Sequence, residues 1–248
     1  PVEQTNTPYQ FYTLNKKLSA LKGELYNFIS SGNYCALLII HYFGLCQNDM
    51  NEIVSLCNEN NVLLIEDCAH SMLSETPYGK LGTLGDFSIF SIHKFLATKD
   101  GGCLRVNNKD YEYLLQEPSS TKPNLETLDV RTRSDLNAVR EKRRNNYLYL
   151  TELIDVISEI EIMYPELPDG IAPHNFPIII NNGQRESLYF KLIDRGVPVI
   201  ALYYRMIDPI LQGGYKESIY ISDNILNLPI HQDITKSNIE EIIRRIKE

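Results

Sequence analysis

The stretch CALLIIHYFGLCQNDMNEIVSLCNENNVLLIE, residues 35–66, decides how this chain folds. It opens and closes on apolar runs of strand length, CALLII (35–40) and VLLIE (62–66). A strand with one wet face alternates polar and apolar residues; these two do not. Between them, Met50, Ile53, Val54 and Cys57 recur at helical spacing, with Asn48 or Asp49 placed to cap the first turn. Strand, helix, strand with uninterrupted apolar strands marks a parallel sheet covered on both faces. Working outward, FSIF (87–90) and CLRV (103–106) add short strands, and QFYTL (10–14) reads as another. Residues 15–30 read as a helix that SSGN (30–33) breaks.

The second half has a different rhythm. QEPSSTKPNLETLDVRTR (116–133) is polar and contains proline, and reads as a loop or linker. A long helix is expected from Ser134 to about Glu161, and its basic cluster Arg140, Lys142, Arg143, Arg144 reads as a solvated face. PELPDGIAPHNFP (165–177) is a second loop. FPIIIN (176–181), a helix at 184–195 and VPVIALYY (197–204) make a small α/β unit. LNLPIHQDI (226–234) is extended, and a last helix at 236–247 turns Ile239, Ile242, Ile243 and Ile246 to one side. The expected organisation is a large α/β domain over residues 1–133, then a linking helix and a small C-terminal α+β domain over 134–248.

With 248 residues, 43% hydrophobic and 23% charged, the composition is that of an ordinary globular protein. A net charge of −8 argues against nucleic acid or an anionic membrane as partner. No apolar run reaches membrane-span length, and PVEQTNTPYQ is not a signal peptide. Five scattered cysteines without CxxC spacing suggest reduced thiols in a cytoplasmic protein, and no metal site. The first residue is Pro1, so a processed or fragmentary chain is expected.

The chemistry gathers where strands end. LLIEDCAHS (63–71) closes an apolar strand with Glu66, Asp67 and His70, and parallel sheets bind ligands at the carboxyl ends of their strands. In LGTLGDFSIFSIHK (81–94), Ser91 follows a strand, where a hydroxyl and nearby amides can hold an anion. A lysine attacks a carbonyl only once its amine is deprotonated, by desolvation or a neighbouring cation. Lys94 follows a buried strand and precedes Phe95 and Leu96, whereas Lys99 sits in the polar turn ATKDGG. Environment therefore favours Lys94 as the reactive amine and makes Lys99 a solvated turn residue.

Asp67 after its strand, Ala69, His70, then GDFSIFS (85–91), Lys94 and DGG (100–102) form an ordered set that resembles the DegT-type PLP-dependent sugar aminotransferases of fold type I. HYFG (41–44) and LNLPIHQDIT (226–235) resemble further elements of that family. SIHKFLATKDGG (91–102) matches its spacing variant with the lysine three after the serine, and His93 stands in that variant's arginine position. The resemblance is strong over residues 35–106 and looser over 140–248. It implies an open mixed or parallel sheet with a smaller C-terminal domain, and pyridoxal 5'-phosphate (PLP) as cofactor.

Under that resemblance Lys94 would hold PLP as a Schiff base and then act as general acid and base. Asp67 would pair with the pyridinium nitrogen, His70 would meet the phenolic oxygen or ring edge, and Ser91 would bind phosphate. Ala69 belongs to the same cofactor-binding set. His93 and His231 would face substrate, and His41 would support the site from behind. The implied reaction moves an amino group, from glutamate, to a nucleotide-linked keto sugar for surface polysaccharide or secondary metabolites. A cytoplasmic homodimer with active sites near its interface is implied as well. Two other readings are a truncated, PLP-free regulatory or structural relative and a PLP-dependent sugar dehydratase. Nothing before CALLII reads as the phosphate-cradling G-[ST]-x-A helix start of the family, so an N-terminal part is expected to be missing, leaving apolar faces of the sheet uncovered.

Overall fold

The computed structural model describes residues 3–46, 48–116, 125–154 and 157–248. Helix α1 (Lys22–Ser30) leads into strand β1 (Ala36–Ile40). Helix α2 (Met50–Glu59) follows, with Asp49 as its cap accepting from the Glu52 amide at 3.2 Å, and then β2 (Leu63–Asp67). A two-stranded hairpin, β3 (Glu75–Thr76) and β4 (Gly79–Lys80), precedes β5 (Phe87–Ser91) and β6 (Gly102–Val106). The sheet order is β1-β2-β5-β6; the first two pairings are parallel and the last is antiparallel. The parallel β1–β2 pair is the one expected from residues 35–66, and the antiparallel β6 makes the whole a mixed sheet, which the family resemblance allowed.

One face of this sheet is well covered. Leu37 and Ile39 of β1 and Val62 and Leu64 beside and on β2 pack with Leu25 and Ile29 of α1 and Met50, Ile53, Leu56 and Cys57 of α2. The opposite face differs. Register places Ile40, Asp67, Ile89 and Leu104 in one row across it, and Leu38, Ile65 and Phe87 in the next. Leu38 is 44% exposed, Ile89 45% and Leu104 54%, so no described residue covers the middle of that face. The expectation of coverage on both sides fails here, and the expectation of an open apolar face holds.

The second half builds another core. Helices α3 (Leu125–Arg133) and α4 (Leu136–Ile154) come first, then β7 (Ile160–Ile162), β8 (Phe176–Ile180) and α5 (Arg185–Asp194). Short helices α6 (Asp208–Gln212) and α7 (Lys216–Asn224) lead to β9 (Ile225–Leu228) and α8 (Lys236–Lys247). Strands β7-β8-β9 form an antiparallel sheet. Phe176, Ile178, Ile180, Leu226 and Leu228 pack on one side against Tyr147 and Leu150 of α4 and the four isoleucines of α8. Ile179 and Ile225 face the other way, into a cluster with Phe43 and Leu45 from the first half. A capping box starts α8: Thr235 Oγ1 accepts from the Asn238 amide, and Asn238 Oδ1 accepts from the Thr235 amide.

Several local expectations are corrected. Residues 10–14 form no strand; Leu14 makes one isolated bridge to Ala20, and Tyr12 and Thr13 are instead tied to the Leu38 carbonyl and the Glu24 carboxylate. Residues 197–204 likewise hold a single bridge, Ile200 to Asn227. The expected linker at 116–133 is helical from Leu125 onward, and its residues 117–124 lie outside the described residues. The expected long helix starts at Leu136 because the Asp135 carboxylate accepts from the Asn137 and Ala138 amides, an N-cap that separates it from α3. It ends by Ile154 within the described residues, and 160–162 is strand.

Candidate active site

The alternation of β2 splits its last two carboxylates between two tasks. Glu66 points into the covered side and is fully buried. Its Oε1 accepts from the Leu84 and Gly85 amides (2.8 and 2.7 Å), and its Oε2 accepts from Gly82 N–H (3.0 Å) and meets His41 Nε2 (2.9 Å). Burial alone would raise its pKa, but these hydrogen bonds outweigh it and hold the carboxyl below its ordinary range. Glu66 thus fastens the 82–85 turn to the sheet. Gly82 has φ +83°, and a Cβ there would meet Phe90 at 2.3 Å and the Cys68 sulfur at 3.1 Å, so glycine is required for the close approach. His41, Glu66 and Cys68 are the kind of trio that can hold a metal, but both Glu66 oxygens already take two donors each. His41 is fully buried against Glu66, and its Nδ1 has no partner among the described residues.

Asp67 points to the open face. Its Oδ1 accepts from the Ala69 amide at 2.9 Å, which turns the chain sharply after the strand. Its charge reaches Tyr42, Tyr203, Tyr12 and Lys94. Burial first, and Asp67 second, push the Tyr42 hydroxyl up to about 12.

His70 is 6% exposed and lies in a stack of rings. His174 lies face to face with it, centroids 4.4 Å apart and planes within 2°, and Phe43 lies on its other side at 6.1 Å. Burial, then the neighbouring His174 and Lys94, lower its pKa to about 2. It is therefore neutral. Its Nδ1 accepts from the Phe43 amide at 3.4 Å, which places the proton on Nε2. His174 is also held neutral, down to about 4, chiefly by burial.

Ser91 ends β5 opposite Gly102, and its hydroxyl makes no hydrogen bond to a described residue. Lys94 ends the 3₁₀ turn Ile92–Lys94 that follows. It is half-buried, and desolvation lowers its amine below the ordinary lysine value while Asp67 pulls the other way. Lys99 is 80% exposed in its side chain and 3.7 Å from Glu126. Lys94 thus lies within electrostatic reach of both Asp67 and His70, with Ser91 one turn before it. His93 is exposed beside them. His231 is half-exposed, its ring 3.4 Å from Asp233, in the loop that also places Gln232 Nε2 on the Phe95 carbonyl at 3.0 Å.

Three neighbours escaped the reading of the sequence: His174, Arg143 and Phe43. The basic cluster read as a solvated face is corrected. Arg143 is buried, Arg140 pairs with Glu75 at 2.8 Å, and Arg144 donates to the Pro168 and Ile171 carbonyls. Lys142, like Arg140 and Arg144, is half-buried, so none of the four is fully exposed. A run of arginines along one helix gives no sign of which faces inward until its partners are placed.

The observed chemistry fits PLP on three counts. Lys94 is an amine whose charged form burial disfavours, Asp67 is a carboxylate at a strand end, and His70 offers a free Nε2–H. The model of the DegT/DnrJ/EryC1/StrS aminotransferase family matches residues 29–117. That segment is similar to this family, over about a third of the chain. Over 70 residues this chain is 40% identical to UDP-4-amino-4,6-dideoxy-N-acetyl-beta-L-altrosamine transaminase of Campylobacter jejuni, a match over 27% of this chain and 19% of that relative's length. Among solved structures, Helicobacter pylori PseC, an aminotransferase involved in the biosynthesis of pseudoaminic acid, superposes with a TM-score of 0.80 at 15% identity over 99% of this chain and 74% of that one. E. coli GDP-4-keto-6-deoxy-D-mannose-3-dehydratase with bound hydrated PLP gives 0.77 at 17% identity, over 99% and 76%. These likenesses establish the fold of the PLP-dependent aminotransferases. Among the described residues no helix is long and apolar enough to cross a membrane.

Proposed function

We propose that this chain is the Lys94-bearing part of a PLP-dependent aminotransferase that moves an amino group from an amino-acid donor, glutamate, to a nucleotide-linked keto sugar. The observation that carries the reading is the meeting of Asp67, His70 and a desolvated Lys94 at the carboxyl ends of a parallel sheet. The family segment at 29–117 and the sugar-transaminase names of its relatives support it. We place the cofactor-binding domain at 1–133 and the small domain at 134–248, and expect a cytoplasmic homodimer.

Each residue has a physical task. Lys94 would hold the cofactor through its amine, and the same Nζ would take a proton from the donor's α-carbon, since burial lowers the cost of keeping it neutral. Asp67 would meet the ring nitrogen and keep its proton in place. His70, fixed as the Nε2–H tautomer by the Phe43 amide, would donate to the ring oxygen and could not compete as a base. Ser91 would donate to phosphate, and Ala69, whose amide donates to Asp67 Oδ1, would help hold that carboxylate in place. PLP, when bound, supplies the electron sink that makes the α-proton removable. His93, exposed, and His231, half-exposed, would meet the sugar substrate.

The test is to incubate the chain, alone and with any upstream coding sequence restored, with PLP, reduce with borohydride and map the adduct. Modification at Lys94 together with amine transfer to a nucleotide keto sugar supports the proposal. Water loss from the sugar without amine transfer would replace it with a dehydratase, and no adduct in a folded, extended chain would sink it.

A further inference from the structure

Lys94 sits on the 3₁₀ turn that follows β5. The amides of Phe95 and Leu96 close the turn onto the Ile92 carbonyl, and Phe95, Leu96 and Ile92 are buried. The Lys94 and Phe95 carbonyls would be left unpaired against apolar surroundings, a costly arrangement. Helix α4 and the 229–234 loop supply their donors. Arg143, 3% exposed, donates from NH2 to the Lys94 carbonyl at 3.2 Å, from NH1 to the His174 carbonyl at 2.8 Å and from Nε to Gln232 Oε1 at 3.1 Å. Gln232 in turn donates to the Phe95 carbonyl at 3.0 Å. The guanidinium also lies over the Phe95 ring, 4.8 Å from its centroid. One turn along α4, Asn146 donates to the carbonyls of Ile230, His231 and Ile234 and so fixes the loop that carries Gln232.

We propose that Arg143, assisted by Gln232, is the positioning residue of Lys94: it locks the turn that carries the reactive amine to the loops bearing His174 and His231. The inference rests on reading Lys94 as that amine. A planar fork with five donors can serve three acceptors at once; a lysine at 143 would keep the charge but not the geometry. The lock accounts for a half-buried amine on a turn that would otherwise be free to swing into water. The charged or titratable groups around Lys94 are His93 on its own turn, Asp67 from β2, His70 after it, His174 from the loop before β8, and Arg143 itself.

The experiment needs no cofactor, so its outcome is separate from that of PLP binding. The whole chain is labelled with trace acetic anhydride across a pH series, and Lys94 acetylation is read by peptide mass spectrometry, with thermal melts confirming the fold. In the parent chain Lys94 should label with a midpoint below the ordinary lysine range. Arg143→Met and Arg143→Lys should both move that midpoint back toward it, whereas Arg144→Ala should leave it in place. A parent-like midpoint in folded Arg143→Met, or in Arg143→Lys alone, would overturn the proposal, the latter because charge without geometry would then suffice. If Arg143→Met does not fold, Gln232→Ala should give a smaller shift in the same direction, and an unmoved midpoint there overturns the proposal equally.

Discussion

Lowering the pH from 7 to 5 should cost this fold about 4 kcal/mol through two stacked histidines. His70 is held down to about 2 and His174 to about 4, against an ordinary 6.5, in both cases chiefly by burial. In the unfolded chain both titrate normally. Below 6.5 the unfolded chain therefore binds protons that the folded chain refuses, and stability falls as pH falls. Each histidine contributes a slope approaching about 1.4 kcal/mol per pH unit once the pH is well below its unfolded value, or about 2 kcal/mol each between pH 7 and 5. The loss levels off for His174 near pH 4 and for His70 near pH 2. Urea titrations at pH 7, 6 and 5 measure it directly. Glutamine cannot take the proton, so the double variant His70→Gln, His174→Gln should lose most of that slope, whatever its stability at pH 7. Parallel stability curves for parent and double variant would refute the reasoning.

Other expectations follow from the same contacts. Glu66→Ala leaves His41 and three buried amides without their acceptor, and should cost about 3–5 kcal/mol in denaturant unfolding, more than Asp67→Ala on the open face. Ile239→Ala, at a site with no exposure on α8, should cost about 2–5 kcal/mol, while Glu240→Ala on the outer side should be near neutral. The open face bearing Leu38, Ile89 and Leu104 should drive self-association; a triple lysine variant should sediment as a smaller species than the parent without a lower melting temperature.

The parts of the fold legible in the sequence are those where one residue pattern admits one environment. CALLII and VLLIE read as neighbouring strands of one parallel pair, and the isoleucines of α8 could only face a core. QFYTL and VPVIALYY have the same β-prone composition, yet each makes one bridge, because a strand exists only where a neighbour supplies its hydrogen bonds. The open face was invisible in β1 and β2, whose residues are apolar on both sides whether or not a layer covers them. In the site, spacing and environment separated Lys94 from Lys99, and a strand's alternation separates Asp67 from Glu66. Arg143 and His174 were not legible, since their roles come from contacts with residues 31 to 104 positions away: the His174, Lys94 and Gln232 contacts of Arg143 and the ring of His70 against that of His174.

The measurement that bears most directly on this account is the site of covalent PLP attachment. After incubation with PLP and borohydride reduction, peptide mapping should find the adduct on Lys94, with Lys94→Ala losing it and Lys99→Ala keeping it. An adduct that stays when Lys94 is replaced and disappears when Lys99 is replaced would contradict it.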